Sequence, residues 1–339
     1  MFDRDRSPWK GLGKDVSYTE QLKEVLKIAE LDFTVDKAPV KFNPMYNGTK
    51  QDPIFEDIEM PGFFVTFRTD TFIPFGIVGS KYKIVQNYDA FKFIEMLFAE
   101  SNNHGLEGIK YEVAGLMQKG QKMFVVVQLP NSITIGVDDH INKYLIFTTT
   151  HNGSGSVTIA ITGVRIRCGN AVQAAIRGAS SKFVMKHTKN VATKIEYVRQ
   201  LIQAQEKYFL ELGEMLITLS TIQLDSQHID QSIAFVFLPK NEYEQYLVEK
   251  FNLYDNVVLS AKRINMLNTV RDSLTNAPGQ DAYQYTALWV YNGITSYLQN
   301  VKEFKSADER FTSILDDKYG SKLDHIIEIF LTLKPKINE

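Results

Sequence analysis

The side chains in this sequence best placed to do chemistry are cations. Between positions 163 and 199 stand Arg165, Arg167, Arg177, Lys182, Lys186, Lys189, Lys194 and Arg199, with Glu196 as the one acid. That stretch carries a formal +7, while the rest of the chain, with 30 basic and 39 acidic residues, carries −9. The overall charge of −2 thus hides a basic segment on an acidic background, and local distribution steers a ligand. On a strand, Arg165 and Arg167 share a face, because side chains alternate with period two. Gly169-Asn170 is expected to open a helix over residues 171–176, and the free N–H groups of a helix start suit a phosphate. Ser180, Ser181 and Thr188 add hydroxyls, while Tyr144 and Phe183 offer faces for stacking bases. Cations beside aromatic faces are the chemistry of single-strand binding, and counterion release makes such binding salt-dependent. The expected nucleic-acid contacts are Arg165, Arg167, Asn170, Arg177, Lys182, Lys186 and Lys189. In the competing reading these charges only solvate, offset helix dipoles or pair with acids elsewhere in the chain or in a neighbouring subunit.

Other chemistries find less material. No G-x-x-x-x-G-K-[ST] loop occurs, and Gly153-Ser154-Gly155 reads as a hairpin turn, so an ATPase is not expected. His104, His140, His151, His187, His228 and His325 are scattered without zinc-ligand spacing. Asp138-Asp139-His140 is the compact acidic cluster and Asp316-Asp317 a second acidic pair; a hard metal at such carboxylates defines a metal-dependent nuclease as the third reading. Cys168 is the only cysteine, which forbids an intrachain disulfide, and it reads as a small buried apolar residue. Trp289, Tyr291 and Tyr297 lie at helical spacing and read as core or interface. No cofactor and no metal are expected, and an enzyme is the less favoured class.

The elements that must position these groups show two textures. With 44% hydrophobic and 23% charged residues, and 16 Tyr and 22 Phe, the composition is that of an ordinary globular protein. Thr19 is the expected N-cap of a helix carrying Leu22, Val25, Leu26 and Ala29. Pro39, Asn43-Pro44, Asn47-Gly48 and Pro53 then mark a loop-rich passage. Phe63 to Phe67 and Tyr82 to Val85 read as strands, and Asn87 as the cap of a helix carrying Phe91, Ile94, Leu97 and Phe98. Two hairpins follow, Tyr111–Leu116 with Met123–Leu129, and Lys143–His151 with Ser156–Cys168. Beyond about 189 the pattern is helical: Val191 to about Leu219, then about 241–252, 258–275, 281–300 and 306–333, with Pro278-Gly279 a break. The expected fold class is α+β, with antiparallel hairpins and helices in the N-terminal half and a mainly α-helical C-terminal half. Its segments are 1–60, a helix and loop; 61–188, an α+β core; and 189–339, a helical region. No window spans a bilayer, and Met1 to Arg6 lacks the apolar core of a signal peptide, so a cytoplasmic location is expected.

Five blocks in order give a resemblance. They are Trp9-Lys10-Gly11-Leu12-Gly13 followed by Val16, Leu31 to Val35 after the first helix, Gly76 to Phe91, Val164 to Asn170 with Lys186-His187-Thr188 downstream, and Ala287 to Tyr297. Together they resemble the phage/plasmid-like family known as domain of unknown function 932. The resemblance implies mobile-element biology and supplies no catalytic residues. The succession of strand, helix, hairpins and helices is also reminiscent of phage single-strand annealing proteins, which work without nucleotide hydrolysis along an oligomer; this is fold-level analogy. The expected function is a DNA-metabolism protein that binds single-stranded DNA, with recombination or annealing as its setting and a homo-oligomer as its assembly. The alternative is a non-catalytic protein-interaction module such as a host-defence antagonist.

Overall fold

The computed structural model describes residues 9, 11–43, 57–103, 108–117, 120–136, 139–153, 157–165, 171–172, 182–185, 191–251, 259–316 and 318–333. It is an α+β fold. Its centre is an antiparallel sheet in the order β1-β5-β6-β7-β8-β10, with β9 also paired to β8. These strands are β1 (Lys14–Asp15), β5 (Lys110–Met117), β6 (Lys122–Gly136), β7 (Asp139–Thr150), β8 (Val157–Arg165), β9 (Ala171–Val172) and β10 (Lys182–Met185). Period-two alternation divides each strand between two apolar faces. Met123, Val125, Val127, Leu145, Phe147, Ile159 and Ile161 face one core. Phe124, Val126, Tyr144, Ile146, Ala160 and Val164 face the other. Both faces are covered, which is why β6 reads as a continuous apolar run rather than an alternation.

The first face is covered by α1 (Leu22–Ile28), α2 (Asn87–Asn103) and α3 (Val191–Thr221). The second is sealed by Trp9 and Leu12 from the beginning of the chain and by Phe311 and Leu315 of α8 (Ala307–Leu315). The remaining helices are α4 (Ser226–Phe237), α5 (Lys240–Phe251), α6 (Ala261–Asn276), α7 (Ala287–Ser296) and α9 (Gly320–Thr332). All ten residues of α7 are buried, as expected of a helix packed on every side. Its Gly293 serves this closeness: an added Cβ would lie 2.6 Å from the Leu274 side chain and 2.7 Å from its Cα. Asp225, Ser260, Thr286 and Ser306 cap α4, α6, α7 and α8 through their side-chain oxygens, satisfying N–H groups that a helix start leaves open. At the other end of α4, Lys322 donates to the carbonyls of Phe235 and Val236 at 3.0 and 2.9 Å, a favourable place for a cation. One apolar core runs from Val16 through the helices to Phe330.

A small sheet, β2 (Val35–Phe42), β3 (Ile58–Arg68) and β4 (Pro74–Gly79), lies beside the first. Its inward Thr66 is fully buried and donates to the His151 carbonyl at 2.6 Å.

Several local expectations change. Residues 35–42 form β2 despite Pro39, because the ladder shifts register between Pro39 and Lys41, and a bulge is where a strand tolerates proline. Tyr82 to Val85 is not a strand; β4, upstream of it, pairs with β3 instead. Thr19 is not the cap of α1, since the N-cap position is Gln21. Asn87 starts α2, but its amide donates to the Leu31 carbonyl at 2.8 Å and its oxygen meets His151 Nε2 at 2.8 Å. Ala171-Val172, expected in a helix, pair with Val164 and Gly163 as a strand. Helix α4 was not anticipated. The 281–300 run divides into a short 3-10 turn, α7 and a π turn at Tyr297–Val301, and the 306–333 run into α8 and α9. The expected segment boundary at residue 60 falls within β3.

Candidate functional site

Arg165 ends β8 on the helix-covered face, and it is buried, with 1% of its surface exposed. Its Nε donates to both Asp139 oxygens at 2.9 Å and a terminal nitrogen donates to Asp139 Oδ2 at 2.6 Å. Asp139 begins the neighbouring strand β7 and is itself fully buried. The same guanidinium donates to the Gly279 carbonyl at 2.9 Å and lies 5.3 Å from the centre of the Tyr283 ring. It therefore fastens the end of the sheet to the loop after α6. The expectation that Arg165 contacts phosphate is corrected: its charge is committed inside the protein. A buried pair of this kind holds only while both partners are present. The acidic cluster is changed in the same way, because Asp139 serves Arg165; Asp138 lies outside the described residues.

Tyr144, expected to stack on bases, is 1% exposed and packs edge-on against Trp9 with ring centres 5.4 Å apart. Trp289 and Tyr291 are buried in the core and Tyr297 half-buried. Lys182 is exposed on β10, the last strand of the large sheet. Phe183 beside it is half-buried. Arg199 is exposed and meets Glu100 at 3.5 Å. Arg167, Cys168, Asn170, Arg177, Lys186 and Lys189 lie outside the described residues, as does Asp317. No group of three or more His, Cys, Asp or Glu placed to hold a metal occurs among the described residues. Nor does any described helix have the length and apolarity to cross a membrane.

Gln299, on the π turn, donates from Nε2 to the Ala171 carbonyl at 2.9 Å and accepts from the Ala171 N–H at 2.8 Å. This amide pairs with both backbone groups of Ala171 as a further strand would, and it ties residues 171–172 to the helical half. Around Gln299 opens a cleft of about 840 Å³ between α6, the π turn and α8. A π turn recurs often at functional sites because its irregular backbone re-aims side chains. Lys302, at its end, donates to the Tyr319 hydroxyl at 3.3 Å and holds its ammonium 5.1 Å from the centre of the Phe304 ring. Arg310, on α8, is half-buried, and burial pulls its pKa below the ordinary arginine value. Thr269, Asp272 and Asn276 of α6 also line the cleft. Arginine, lysine and an aromatic face thus meet in one concave place, and sequence reading did not find it. Its three walls come from separate helices, and no local pattern in residues 269–310 brings them together.

A family model whose description is "Domain of unknown function (DUF932)" matches residues 74–315. No curated protein matches the chain. No solved structure matches it either.

Proposed function

Since this chain belongs to the DUF932 family, whose description names no activity, we propose one from its geometry: binding of single-stranded nucleic acid, without nucleotide hydrolysis, in the DNA metabolism of a phage- or plasmid-type element. The observation that supports it is the reciprocal Gln299–Ala171 pair. It joins the beginning of the basic segment to a cleft holding Lys302, Phe304 and Arg310. Cations and an aromatic face along one track are what a single strand needs. With Arg165 withdrawn, the phosphate contacts in this reading are Arg167, Arg177, Lys182, Lys186 and Lys189, with Asn170 assisting.

Filter binding of labelled single-stranded DNA over a salt series tests it. Five phosphate contacts give a slope of log K against log salt near −3.5, so affinity falls roughly a hundredfold between about 50 and 200 mM salt. The double variant Arg177→Ala with Lys186→Ala flattens the slope by about 1.4. Binding that is absent or indifferent to salt overturns the proposal.

The assembly in this reading is a homo-oligomer, and the small sheet supplies a surface for it. Ala38, Val65 and Ile77 stand in one cross-strand row, with Phe63 and Phe67 on the same outer face. Ile77 is 60% exposed, and Phe72, stacked on Phe67, is 75% exposed. The row carries no lysine or arginine, which suits a protein surface better than a phosphate chain. Sedimentation equilibrium is expected to show an oligomer for the wild type and monomer for Ile77→Glu, whose side chain is exposed enough to leave the fold unaffected. A monomeric wild type removes this assembly. If that monomer also fails to bind nucleic acid, the same face favours the second reading, a protein-interaction module.

A further inference from the structure

We infer that the cleft between α6, the π turn and α8 is a nucleotide site, which takes one nucleotide of a bound strand with its phosphate at Lys302 and Arg310 and its base against Phe304. The inference rests on the single-strand reading above and adds to it a place of recognition.

Size and polarity carry the argument. A cleft of about 840 Å³ lies in the range of small-ligand pockets, roughly 300–1,000 Å³, and has room for a base, sugar and phosphate together. Its lining brings different chemistries together. Its cations are Lys302, held by Tyr319 and poised over the Phe304 and Tyr319 rings at 5.1 and 5.0 Å, and Arg310, which donates to the Gln299 carbonyl at 3.5 Å. From α6 the lining adds Asp272, an acceptor, and Asn276, which both donates and accepts. A bare anion has no use for Phe304 or Asp272, and a divalent cation is repelled by Lys302 and Arg310. A fatty chain has no use for two cations and a carboxylate. A nucleotide uses all of them: phosphate on the cations, the ring face on Phe304, and the base edge on an amide and a carboxylate, which are groups that read bases by hydrogen bonding. The π turn places Gln299 against Ala171 and Asn300 at the cleft, so the cleft adjoins Ala171, a residue within the basic segment.

Two variants of the whole chain test the site. Asn276→Trp fills it from an exposed position at the end of α6, and Lys302→Gln removes a cation without loss of bulk. The probes are a labelled oligothymidylate of about twelve nucleotides, read by fluorescence anisotropy, and free thymidine monophosphate, read by its effect on the melting temperature. The wild type is expected to bind the oligonucleotide about tenfold more tightly than either variant, and the mononucleotide to raise the melting temperature of the wild type alone. Equal oligonucleotide affinity in wild type and both variants overturns the nucleotide site while leaving strand binding in place. Stabilisation by the mononucleotide with no oligonucleotide binding keeps the site and overturns the single-strand function. Absence of both effects removes both. Should Asn276→Trp prove misfolded, Lys302→Gln decides the matter alone.

Discussion

Replacing Arg165 with methionine lowers the stability of this protein by about 3–5 kcal/mol. The substitution keeps much of the apolar stem but removes every donor to Asp139. That carboxylate is fully buried, so it is left in the interior without its donors, and the Gly279 carbonyl loses the guanidinium that it accepted from. The loss is read from the shift of the urea midpoint at unchanged slope. The double variant Arg165→Met with Asp139→Leu is expected to recover a large part of it, because two apolar groups of suitable volume replace a buried pair at little cost. By contrast, Arg199→Met, which removes an exposed pair with Glu100, changes stability by less than about 1 kcal/mol. A loss below about 1 kcal/mol for Arg165→Met means that the buried pair is dispensable and contradicts this account.

Trp9→Ala is the second large effect, about 3–5 kcal/mol. Trp9 is 5% exposed and sits edge-on to Tyr144 and Phe311, with ring centres 5.4 and 5.5 Å away. Removing the indole opens a cavity between the sheet and α8, and neighbours fixed in strands relax only partly into it. The neighbouring glycines hold this seal in place. Gly13 has a φ of +60°, and a Cβ there would lie 2.3 Å from the Ala114 carbonyl oxygen. Circular dichroism melting of Trp9→Ala and Trp9→Phe separates the contributions: phenylalanine keeps much of the volume and is expected to lose less than half as much. Equal melting temperatures for both variants and the wild type would falsify the view that Trp9 seals the second face.

These two positions also show what the sequence made legible. The hairpin of β7 and β8, the helix beginning at Asn87 and the long α3 follow from local periodicity and local turn residues, and they form as expected. Arg165 was misjudged because periodicity assigns a face and does not reveal what covers it. Its partner, Asp139, is 26 residues away, and the Gly279 carbonyl is 114 residues away. Val35 to Phe42 looked like loop because Pro39 and the Asn-Pro and Asn-Gly pairs that follow are strong local breakers. The ladder with β3 overrides them. Ala171-Val172 looked helical because small residues after Gly-Asn carry that propensity, and pairing with β8 together with the distant amide of Gln299 decides otherwise. Nothing local announces the cleft, since Lys302, Arg310 and Asp272 come to line one cavity only when α6, the π turn and α8 meet. In each miss a long-range partner outweighed a weak local preference.

The contact between Trp9 and Phe311 has a bearing on the order in which the molecule assembles. The strands β5 to β8 can pair as soon as they are synthesised, since each meets its neighbour through a short connection. One of their faces then waits with Phe124, Val126, Ile146 and Val164 exposed until α8 leaves the ribosome. Contacts between residues so distant in the chain form slowly, because a long loop must close before they contribute. During that interval the nascent chain presents a greasy sheet, which is the condition under which multistep folders aggregate. Productive synthesis thus depends on how soon the second half arrives, and a chain stopped short of α8 would be expected to remain sticky even with every strand in place.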